Sequence, residues 1–181
     1  MLRRNLDMKR LFAALMLVMM LVALTLTSCG NNDGAPAGMK TASGEGTDYT
    51  LYVPEEWIVD LTTKATGAYH STKDPSNVSV TAWELEHSDS TVEDWWAIER
   101  ADIDLVFDNV EIVTEANTTI DGIAAKQVEY TASLGENNYK IMQVAAVKSS
   151  VVYVFTYTSV VESYDLHLDE VKAMLDYMQI D

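Results

Sequence analysis

His70, His87 and His167 are the only histidines of this 181-residue chain, and Cys29 is its only cysteine. These residue types carry most metal and nucleophile chemistry, so their spacing decides which chemistry is open. No two histidines stand at the i, i+4 spacing that turns both imidazoles onto one helical face for zinc, and no His–Cys cluster exists. His87 has the richest neighbourhood, with Glu84, Glu86 and Asp89 close by where a strand meets a helix. That group reads as a solvated acidic loop rather than a metal site. His167, beside Asp169 and Glu170, reads as an exposed ion-pairing residue on the last helix. A Gly-x-Ser-x-Gly elbow, a P-loop, a dinucleotide fingerprint and an EF-hand calcium loop are all missing from the sequence. Asp102, Asp104 and Asp108 run along or just past a helix and form no such loop. With 28 acidic residues in the chain, closeness in sequence nominates no acid–base pair. The expectation is a non-enzyme with no cofactor and no dedicated metal site.

The cysteine stands in a more informative context. Basic residues Arg3, Arg4, Lys9 and Arg10 precede an apolar run from Leu11 to Leu26, and small residues follow it. This is the layout of an export signal. The run spans about 16 residues, short of the roughly 20 needed to cross a bilayer. Met8-Lys9-Arg10 is by itself a sufficient basic start. The order Leu26-Thr27-Ser28-Cys29 resembles the lipobox of bacterial lipoproteins at all four positions. The resemblance implies that Leu26, Thr27 and Ser28 are recognised by the signal peptidase, that residues 1–28 are removed, and that Cys29 is acylated. One acyl chain binds membranes only marginally, whereas two or three on one cysteine anchor it durably. Such an anchor would use up the only thiol, leaving no disulfide and no cysteine nucleophile. Gly30 occupies the place where an Asp would signal inner-membrane retention in many Gram-negative lipoproteins, which leans the assignment toward a Gram-positive cell. The expected location is the outer face of the cell membrane.

Without residues 1–28 the chain holds 8 Lys plus Arg and 27 Asp plus Glu, a net charge of −19. Nucleic-acid phosphates and anionic headgroups are repelled by such a surface. A cationic protein, a basic peptide or divalent cations are the partners it would attract. Residues 30–47 contain five glycines and almost no large apolar side chain, so 29–47 is predicted to be a lipidated flexible tether. Residues 48–181 remain as one domain with enough chain for a core.

Within that domain, Tyr49, Leu51 and Val53 mark a strand closed by Pro54, residues 67–72 a weak strand, and Val78–Leu85 a clear one. Ser90 and Glu93 have capping-box spacing ahead of an amphipathic helix over 91–107. Glu99 is a flaw in that helix, because it falls in the apolar stripe. Val110–Ile120 and Ile123–Leu134 flank Asp121-Gly122, a strong hairpin signal. Tyr139–Lys148 and Val151–Ser159 flank Ser149-Ser150. Both faces of the last strand are apolar, as in a central strand covered on two sides. A second helix is predicted over about 163–178. Strands joined by tight hairpins imply an α+β fold with a central antiparallel sheet of six or seven strands flanked by two helices. Trp95 and Trp96 are adjacent on the first helix and point about 100° apart, and Trp57 follows Pro54 in a loop. Trp57 and Trp96 are therefore the candidates for a partly exposed binding surface.

The aromatic strand running into Pro54-Glu55-Glu56-Trp57, the Trp-bearing helix, the Ile120-Asp121-Gly122-Ile123-Ala124-Ala125 hairpin, the Val152–Tyr157 strand and the closing helix together resemble the PsbP-like superfamily, which includes DcrB-like bacterial lipoproteins. The resemblance spans about 49–180. It implies an α/β/α sandwich and mostly non-catalytic roles in binding or stabilising partners, with no shared catalytic residues to transfer. Two further functions compete with an accessory module. One is a small-ligand carrier with a pocket between sheet and helix, suggested by Trp83, Tyr139 and Tyr153. The other is an envelope hydrolase, for which no nucleophile–base pair is visible.

Overall fold

The computed structural model describes residues 34–61 and 66–181. Leu26, Thr27, Ser28 and Cys29 lie outside the described residues. Seven strands form one antiparallel sheet in the order β4-β5-β6-β10-β9-β8-β7. They are β4 (Ile58–Asp60), β5 (Thr66–Tyr69), β6 (Asn77–Glu84), β7 (Asp108–Ile120), β8 (Ile123–Leu134), β9 (Asn137–Lys148) and β10 (Val151–Val160). The long helix α1 (Val92–Val106) covers one face. The other face is covered by β1 (Met39–Thr41), β2 (Tyr49–Thr50), β3 (Tyr52–Pro54) and the C-terminal helix α2 (Leu168–Tyr177). A last short strand, β11 (Gln179–Ile180), pairs with β2, and β1 pairs with β3. The expected α+β architecture with a two-sided antiparallel sheet is what the chain adopts.

The hairpins explain the meander. Asp121 and Gly122 both take positive φ, 51° and 73°, which matches the two-residue turn whose twist suits antiparallel strands. The β9–β10 turn uses Ser149 and Ser150 at φ 51° and 69°, an unusual choice without glycine. Strand β10 lies between β6 and β9. Tyr153, Phe155 and Tyr157 enter the core under α2, while Val152 and Val154 meet α1 on the opposite face. Fully burying side chains of this size contributes roughly 1.5–3 kcal/mol each.

Several boundaries differ from the sequence reading, each for a local reason. The folded part begins before residue 48. Met39 and Ala42 are buried, β1 pairs with β3, and the Ala42 amide donates to the Leu51 carbonyl at 2.8 Å. A composition average over 29–47 hid two apolar side chains, Met39 and Ala42, that the fold buries. Gly38, at φ 78°, turns the chain into β1 instead of loosening it. Helix α1 is capped one residue later than expected, by Thr91 and Asp94. The same spacing recurs one position on, and Glu93 is thereby left to reach Lys126 Nζ at 2.8 Å. The closing helix is divided into a 3-10 turn, Tyr164–Leu166, and then α2. His167 stands at the junction.

Glu99 sits within the apolar stripe because the sheet offers it a partner: Gln143 Nε2 donates to Glu99 Oε1 at 2.9 Å. Burial pushes the Glu99 carboxyl above its ordinary range, with the Gln143 bond opposing that rise.

Candidate functional site

The β5–β6 turn folds on itself through its own polar groups. The His70 amide donates to the Ser76 carbonyl at 2.8 Å, and the Asp74 amide donates to Ser71 Oγ at 3.1 Å. Asp74 Oδ1 accepts from the Ser76 hydroxyl at 2.6 Å and from the Ser76 amide at 3.1 Å. Ser76 Oγ in turn lies 2.8 Å from Ser159 Oγ on β10, which ties the turn to the central strand. One carboxylate oxygen of Asp74 is thus held in place, and the other, Oδ2, points to the start of α2.

His167 arrives there because it caps α2, its carbonyl accepting from the Val171 amide at 2.9 Å. Its Nε2 lies 2.9 Å from Asp74 Oδ2 and its Nδ1 lies 3.2 Å from Glu170 Oε2. Trp57, placed by the turn after β3, donates Nε1–H to the same Glu170 oxygen at 2.9 Å. The His70 and His167 rings lie 4.1 Å apart, and the Trp57 ring meets both edge-on, at 5.9 and 5.8 Å. His70 Nδ1 is 3.9 Å from Asp74 Oδ2. That nitrogen is buried and has no hydrogen-bond partner.

The side chain of His167 is 8% exposed, that of Asp74 22% and that of His70 31%. The cluster is therefore enclosed but open to solvent on the His70 side. Burial alone would raise the Asp74 carboxyl, yet the Ser76 and His167 hydrogen bonds outweigh it and hold the group below the usual carboxylate range. A doubly protonated His167 can donate to both carboxylates at once. A neutral ring donates to one and presents a lone pair to the other side. Among the described residues, His70, Asp74 and His167 are the group whose ligand atoms come within 4.8 Å of one another.

The sequence reading did not find this site. His167 is buried rather than exposed, and its Asp74 partner lies 93 residues away. The visible traces were His70 and Asp74 four apart and His167 and Glu170 three apart. His87, Glu84, Glu86 and Asp89, the alternative cluster, are all exposed. The expected binding surface also needs correction. Trp57 is fully buried and Trp96 is 7% exposed. Trp95 and Trp96 are both buried, because α1 lies across a broad sheet and their rings, 5.9 Å apart, share its underside. Trp83 is the tryptophan at the surface, 41% exposed.

No family model matches the chain, and no curated protein matches it significantly in sequence. Solved structures do resemble it. The PsbP protein of Synechocystis sp. PCC 6803 (CyanoP) aligns over 86% of this chain and 99% of its own, with TM-score 0.58 and 17% identity. LpqN of Mycobacterium tuberculosis, a protein involved in cell envelope biogenesis, aligns over 73% of this chain and 82% of its own, with TM-score 0.57 and 14% identity. PA94 of Pseudomonas aeruginosa, of unknown function, aligns over 77% and 94%, with TM-score 0.51 and 13% identity. The fold is PsbP-like.

Proposed function

We propose that the chain is an extracytoplasmic accessory module, held at the outer face of the cell membrane through acylated Cys29, that binds a cationic protein or peptide and performs no catalysis of its own. The observation that carries this reading is a PsbP-like sandwich preceded in the chain by an apolar run that ends in Leu26-Thr27-Ser28-Cys29. The likeness to a mycobacterial protein involved in cell envelope biogenesis supports the envelope setting. With β1 starting at Met39, nine residues separate the anchor cysteine from that strand, and the turn from Pro36 to Met39 keeps their reach below the roughly 30 Å of a fully extended segment.

Charge distribution supports a cationic partner. Lys40, Arg100, Lys126, Lys140, Lys148 and Lys172 are engaged by carboxylates or main-chain carbonyls of the same molecule. The excess acids face outward and give the domain a negative field. A carrier pocket between sheet and helix is less well supported, because Tyr139 and Tyr153 pack into the two cores and Trp83 faces solvent.

The test is affinity capture of the tagged, anchored protein from its own envelope extract at low and high ionic strength. A specific basic partner retained at low salt and lost on raising salt is the expected result. A partner set indifferent to salt would contradict electrostatic recognition.

A further inference from the structure

We propose that His70 Nδ1, Asp74 Oδ2 and His167 Nε2 form a binding site for one first-row divalent ion of the zinc class. This inference concerns the folded domain and does not depend on how the chain is anchored. Two imidazoles and one carboxylate are a donor set that suits zinc and its neighbours, not magnesium or calcium. Donors about 2.0–2.1 Å from a tetrahedral ion stand about 3.3–3.4 Å from one another. The 2.9 Å and 3.9 Å separations to Asp74 Oδ2 bracket that value, so side-chain rotation can close the set.

Two independent observations point to a ligand. The first is His70 Nδ1, buried with no hydrogen-bond partner, an atom that a metal would satisfy. The second is the outer layer. Metal-binding histidines nearly always donate their other ring N–H to a carboxylate, a main-chain carbonyl or water, which orients the ring and raises its basicity. His167 Nδ1 meets Glu170 Oε2 in that way, and Trp57 Nε1–H donates to the same oxygen. Asp74 shows the equivalent arrangement, with Oδ1 held by Ser76 while Oδ2 is left to ligate. Three protein donors leave a fourth position for water or for a donor from a partner.

The competing arrangement is a metal-free one, with a protonated His167 bridging Asp74 and Glu170. Titration of the full chain carrying Cys29→Ser separates the two. The protein is stripped with a chelator and titrated with Zn2+ in excess Mg2+, which occupies the acidic surface. The site predicts one Zn2+ per chain, proton release on binding, and affinity that falls as the pH is lowered from 7 to 5. Co2+ in place of Zn2+ should give a visible ligand-field spectrum. His70→Gln and Asp74→Asn should each weaken Zn2+ binding at least tenfold with the circular dichroism unchanged. Glu170→Gln, which alters a positioning residue, should weaken it roughly tenfold. Zn2+ binding that Mg2+ competes away, or that survives His70→Gln unchanged in a folded protein, would overturn the assignment. Should one variant unfold, the other supplies the same comparison.

Discussion

Trp57 joins three parts of the molecule that are far apart in sequence. Its ring is fully buried, touches His70 and His167 edge-on, and donates to Glu170. Trp57→Ala should therefore act on folding, lowering stability by about 3–5 kcal/mol, measured by denaturant unfolding. Trp57→Phe keeps most of the packing and removes the charge-assisted hydrogen bond. It should cost less, about 1.5–3 kcal/mol. If Trp57→Ala left stability unchanged, the buried role would be wrong. The residue was legible in sequence as important, but for the opposite reason. A tryptophan after Pro-Glu-Glu looks like a loop anchor for a partner, and only the return of α2 beneath it reveals the acceptor on Glu170. His167 was hidden in the same way, because a long-range contact leaves no local pattern.

At the scale of elements, the period-two alternation of β6 and β10 and the Asp121-Gly122 turn were readable because they are local. So was α1, although its cap shifted by one residue. Strand β1 was not, since it is three residues long and gains its stability from pairing with β3 and from the burial of Met39 and the adjoining Ala42. Two element-level predictions follow from strain and charge. Ser150 takes φ 69° in the β9–β10 turn, a left-handed conformation that costs an L residue roughly 1–2 kcal/mol. Ser150→Gly should stabilise the protein by about 0.5–1 kcal/mol, offset by glycine's greater freedom in the unfolded chain.

Glu99 offers a pH-dependent test on α1. Its folded carboxyl titrates above the unfolded one because of burial. The folded state therefore binds the proton more tightly, and stability is lost as pH rises through the folded value. Gln at this position carries no charge, and its carbonyl can still accept from Gln143. Glu99→Gln should raise the thermal midpoint at pH 7 by roughly 2–4 °C. The gain should vanish toward pH 4, where glutamate itself is neutral. An advantage that persisted unchanged at low pH would assign the effect to packing instead.

For the whole molecule, charge and architecture were legible early and the partner was not. A net charge of −19 after residue 28 gives the sign of the partner we propose but no particular surface. The two-sided sheet follows from alternation and turns, whereas the enclosed His70–Asp74–His167 cluster depends on how the C-terminal helix docks. The proposed acylation of Cys29 would hold the domain outside the cytoplasmic membrane through one residue, and that placement would frame every partner it can meet. The most direct measurement is fractionation of cells producing the wild type and Cys29→Ser, combined with mass spectrometry of the N-terminal peptide. Wild type should be membrane-bound and begin at a diacylated or triacylated Cys29. Cys29→Ser should keep its signal uncleaved at this site and carry no lipid. A wild-type protein that begins elsewhere, with an unmodified Cys29 thiol, would contradict it.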